Sequence, residues 1–76
     1  MKHNKFNWIN NDIALDFPIP AFLQQLFDEA EELDLAKNYE YFCVASAIDV
    51  QTKGFVRTGT LTQEQWDLIC LKYPEQ

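Results

Sequence analysis

Two prolines and the apolar stripe behind them constrain this chain most. In FPIPAFLQQLFDEAEELDL, residues 17–35, Pro18 and Pro20 each push the preceding residue out of the helical region, yet proline is welcome at a helix start. Beyond them Phe22, Leu23, Leu26, Phe27, Ala30 and Leu33 recur at helical spacing and share one face, with Gln24, Gln25, Asp28, Glu29, Glu31 and Glu32 on the other. A helix over about residues 20–36 follows. It breaks near Lys37 and Asn38, where the pattern loses phase and asparagine offers a cap.

A second helix start is written in LTQEQW. Thr62 followed three residues later by Gln65 forms a capping box, and Leu61 with Trp66 forms the matching hydrophobic staple. Trp66, Ile69, Cys70 and Tyr73 then line one face, Glu64 and Asp67 lie near the positive end of the helix dipole, and Lys72 lies near the negative end. Pro74 stops this helix, which should cover about residues 63–73.

The stretch EYFCVASAIDVQTKGFVRTG admits two readings. Its β-branched and aromatic residues around QTKG suit a hairpin at about residues 41–60, within an α+β fold. At 3.6 residues per turn, however, Tyr41, Val44, Ala45, Ile48, Thr52, Phe55 and Val56 share a face, while Asp49, Lys53 and Arg57 climb its flank as a charge ladder. Strict alternation fails between Phe42 and Ala45. The helical reading is preferred, over about residues 40–58, with Gly54 a local weakness and Gly59 a helix-ending residue.

The expectation is an all-α fold: one domain, residues 1–76, built as a small three-helix bundle with an N-terminal arm over residues 1–17. Its core is expected from Phe22, Leu26, Phe27, Ile48, Phe55, Trp66 and Ile69. In the arm, Trp8, Ile9, Ile13, Leu15 and Phe17 should dock on that core beside a turn-forming Asn-Asn-Asp cluster.

The tail RTGTLTQEQWDLICLKY resembles a set of small bacterial proteins, many from mobile elements, that end in Gly-x-Leu-Thr-x-Glu-Gln-Trp-Asp followed by Lys/Arg-Tyr. The resemblance extends over most of residues 6–73. It implies a helix over Tyr41 to Thr58 and carries no assigned activity, so no functional residue follows from it.

Twelve acidic against six basic residues give a net charge of −6, which repels phosphate backbones and anionic lipid and steers basic partners inward. Direct nucleic-acid binding is not expected. No run approaches the roughly 18 apolar residues of a membrane helix, so a soluble cytoplasmic protein is expected. Cys43 and Cys70, with no CxxC and only His3 as a nitrogen ligand, assemble neither a metal nor a redox site; they read as two free buried thiols, in preference to a disulfide, in a reducing compartment. His3 has no fixed partner, and no serine or cysteine stands beside a base in a motif. Neither catalysis nor a cofactor is expected.

Two surfaces remain as candidates. Asp28, Glu29, Glu31, Glu32 and Asp34 form a carboxylate run on the second half of the first helix. There like-charge neighbours cost roughly 0.2–0.5 kcal/mol per pair and the dipole opposes them. Such a run solubilises, or it docks on a basic protein surface, in the manner of an inhibitor or DNA mimic directed at a host defence nuclease. Cys43, Ala47, Val50 and Gly54 form a small-residue stripe opposite the core face of the second helix. Either the arm with Trp8 covers this stripe, or it serves self-association in a homo-oligomeric adaptor.

Overall fold

A computed structural model describes residues 7–75. It contains three helices in chain order, α1 (Ala21–Leu35), α2 (Tyr41–Arg57) and α3 (Gln63–Lys72), and no strand among the described residues. The ambiguous stretch is therefore helical from Tyr41 to Arg57, and the hairpin is excluded. A hairpin would have split the buried line Tyr41, Ala45, Ile48 and Thr52, which at helical spacing faces the core as one stripe.

Each helix ends for an identifiable local reason. Thr62 and Gln65 make the full capping box: the Gln65 N–H donates to Thr62 Oγ1 at 3.1 Å and the Thr62 N–H to Gln65 Oε1 at 2.9 Å. At the end of α2, Gly59 takes φ 83°, its N–H donates to the Val56 carbonyl at 3.1 Å, and the Thr60 N–H donates to the Phe55 carbonyl at 2.9 Å. These two bonds define a Schellman motif. The same motif closes α1, with Lys37 N–H to Asp34 carbonyl at 3.0 Å and Asn38 N–H to Leu33 carbonyl at 2.9 Å. There the left-handed residue is Lys37, at φ 55°. Asn38 acts in the opposite direction from the expected α1 cap: its Oδ1 accepts the Glu40 N–H at 2.9 Å and so starts the turn that leads into α2.

Both α1 and α3 pack on α2, and their backbones do not approach each other closely. The arm runs between them. Asn10 N–H donates to the Lys72 carbonyl at 2.8 Å, Lys72 Nζ donates to the Ile13 carbonyl at 2.7 Å, and Ile9 is fully buried. Ile9 joins Leu23, Phe27, Ala30, Tyr41, Ala45, Ile48, Leu61, Ile69 and Tyr73 in one core. Of the core expected from sequence, Phe27, Ile48 and Ile69 are buried and Leu26 and Phe55 pack at its edge, whereas Trp66 is half-buried outside that cluster, where its indole N–H is spent on Asp49. Phe22 does not: it remains 50% exposed, because it stands one residue off the Leu23–Phe27–Ala30 line in the first turn.

The arm is anchored through Asp34, which is completely buried. This corrects its grouping with the outward carboxylates. Asp34 follows Ala30 by four residues and Phe27 by seven, so helix geometry turns it inward. Its Oδ1 accepts the Asn7 N–H at 2.7 Å and its Oδ2 accepts the Ile9 N–H at 2.9 Å, with the Trp8 N–H shared between both oxygens at 3.1 and 3.2 Å. Asn7 Nδ2 donates to the Asp34 carbonyl as well.

Two predictions follow from these ends. Lys37→Gly should stabilise the fold by about 0.5–1 kcal/mol, the cost of a left-handed side chain less the entropy glycine adds to the unfolded chain; a loss of stability in urea titration would contradict the assignment. Asp34→Ala orphans three buried or half-buried amides and should destabilise by roughly 3–5 kcal/mol. A change under about 1 kcal/mol would show that the arm is held by its apolar contacts alone.

Candidate binding surface

With Asp34 removed to the interior, four carboxylates of the run remain on or near the surface. Asp28, Glu29 and Glu32 are exposed and Glu31 is half-buried. On a helix, residues three and four apart stand about 5–6 Å from each other, so Asp28, Glu31 and Glu32 form one cluster on α1. The last turn of α1 holds no basic residue. Among the described residues, the one side-chain bond to the group comes from Gln24, whose Nε2 donates to Asp28 Oδ1 at 3.0 Å. No cation among the described residues pairs with any of the four.

The cluster borders the end of α3. Tyr73 is buried and stacks on Phe27, ring centroids 4.5 Å apart. Burial first, and then the nearby charges of Glu31 and Asp28, push the Tyr73 hydroxyl well above the ordinary tyrosine range.

The stripe on α2 is also open. Cys43, expected to be a buried thiol, is exposed because it stands opposite the Tyr41–Ala45–Ile48 core line, Val50 is 62% exposed and Ala47 is half-buried. Trp8, considered as its cover, packs elsewhere: its ring lies 5.2 Å from Tyr41, 4.9 Å from Phe42 and 5.6 Å from Tyr39. Tyr41 is fixed in turn by its hydroxyl, which donates to the Pro74 carbonyl at 3.0 Å.

Sequence reasoning missed one polar site. Asp49, read as the first rung of a charge ladder, turns toward α3, where its Oδ1 accepts from Trp66 Nε1 at 2.8 Å and from the Cys70 thiol at 3.2 Å. The signal was present, since a half-buried tryptophan N–H requires an acceptor and Asp49 follows Ile48 at the edge of the core face. Burial, then Asp49, and then the charges of Glu75 and Asp67 push the Cys70 thiol up to about 12. This cluster locks α3 onto α2 and keeps the thiol protonated.

His3 lies outside the described residues. Among those described, no three His, Cys, Asp or Glu side chains gather as a metal site, and no helix is long and apolar enough to cross a membrane. Two open depressions of about 280 and 260 Å³ lie beside Pro18–Pro20 and beside Gly54, and neither is lined by an ionisable side chain. Compared with protein-family models, curated proteins and solved structures, the chain matches none.

The two thiols should react unequally. At pH 8 a maleimide or disulfide reagent should label exposed Cys43 readily and leave Cys70 largely unreacted until the chain is unfolded, because only the thiolate attacks. Equal labelling rates in the folded protein would contradict the Asp49–Cys70 arrangement.

Proposed function

We propose that the protein is a non-enzymatic binding module that docks the outer face of α1 on a basic protein surface, as an inhibitor or DNA mimic occupying a nucleic-acid groove. The observation that carries this reading is the set Asp28, Glu29, Glu31 and Glu32, unpaired with any cation among the described residues and held on a helix packed against the core. A solubilising surface has no need to place its charges against one another and against the helix dipole. The resemblance of the tail to proteins of mobile elements suggests a host defence or DNA-handling protein as the partner. The two unpaired cysteines agree with a reducing, cytoplasmic setting.

Exposed ion pairs contribute little one at a time. Recognition of this kind draws on the whole array, through long-range attraction that salt screens over about 10 Å at 0.1 M. Replacing Asp28, Glu29, Glu31 and Glu32 together with Gln should therefore abolish partner binding and leave the helix content unchanged or slightly higher. The test is paired affinity capture from a cell lysate, followed by titration of the captured protein against both forms at rising salt. A partner bound equally by both forms would overturn the assignment of this face.

A further inference from the structure

The exposed face of α2 carries a pattern independent of the acidic one. Cys43, Ser46, Val50, Lys53 and Arg57 succeed one another at spacings of 3, 4, 3 and 4, the spacing at which two helices meet along a seam, and Tyr39 lies in the turn just before the helix. These five helical residues are exposed, Val50 at 62%, and lie opposite the buried line of the helix, while Tyr39 before it is 77% exposed. Small neighbours flank the seam, with Ala47 half-buried and open space around Gly54. A second backbone has room to approach.

From Cys43 to Lys53 the series reads the same from either end about position 48. A second copy laid antiparallel sets Cys43 against Lys53 of the other copy and Ser46 against Val50, and carries Arg57 to the start of the helix beside the turn that holds Tyr39. The charges follow the same order. Glu40 stands at the N-terminal end, and Glu75 is held in the N-terminal half of the face by a 2.9 Å hydrogen bond from Ser46 Oγ. Lys53 and Arg57 stand at the C-terminal end and pair with no acid among the described residues. Antiparallel packing brings opposite signs together and places a guanidinium near the exposed Tyr39 ring, whereas parallel packing would align like charges.

We propose that this face of α2 self-associates as an antiparallel seam about a two-fold axis beside residue 48, forming a homodimer. An isologous contact of this kind closes on itself. Val50 is its one aliphatic seam residue, so the dimer is weak and fills at high concentration.

Sedimentation equilibrium of the full chain from about 10 µM to about 1 mM, a span of about 2.7 kcal/mol in association free energy, tests this. The average mass should rise from 8.9 kDa toward twice that value. Val50→Glu and Arg57→Glu should each hold the mass at the monomer value while circular dichroism stays unchanged. Glu40→Lys combined with Arg57→Glu should restore the rise. A wild-type chain that stays monomeric, a dimer indifferent to Val50→Glu, or a double reversal that remains monomeric would each overturn the proposal. The Gln-substituted α1 variant should dimerise like the wild type, which separates this face from the acidic one.

Discussion

A carboxylate at the C-terminal end of a helix, taken out of water, is unfavourable twice over: the dipole opposes it and desolvation penalises it. Asp34 is in that position and is completely buried. Three successive amides, from Asn7, Trp8 and Ile9, offset both costs by pointing at its two oxygens. Backbone N–H groups aimed at one anion in this way form a nest, here filled by the chain's own side chain. The arm cannot be placed otherwise without leaving that charge unpaired.

The rest of the architecture follows from this anchor. Once residues 7–9 are fixed, Ile9 enters the core, Trp8 lies on the aromatic start of α2, and Asn10 reaches the last turn of α3. The arm thereby fills the space between α1 and α3, which pack on α2 without packing backbone to backbone on each other. A chain of this size has little apolar area to spare, and the buried arm enlarges the core that three short helices would make alone. The Asp49 cluster plays the matching part on the other flank, tying Trp66 and Cys70 of α3 to α2.

What the sequence made legible was local. The apolar stripe of α1, the capping box at Thr62 and the role of Gly59 are each decided by residues within a few positions of one another, and the structure contains all three. The inward turn of Asp34 and the destination of Asp49 depend on partners 17 to 27 residues away. A carboxylate's identity suggests solvent, and only its register against Phe27 and Ala30 tells otherwise. Lys37 escaped for a different reason, since the left-handed closing position usually falls to glycine and nothing in its side chain announces the role. On the candidate surface the same lesson applies: four members of the acidic run stand outside or half outside, and the fifth holds the fold together.

The structural role given to Asp34 is tested most directly by amide hydrogen exchange in the native protein. The N–H groups of Asn7, Trp8 and Ile9 belong to no helix, so any slow exchange there reports the carboxylate that receives them. They should exchange nearly as slowly as the interior amides of α2 around Ala45 and Ile48, and far more slowly than the amide of exposed Asn11. Exchange of all three at the rate of Asn11 would contradict the clamp and, with it, the placement of the arm.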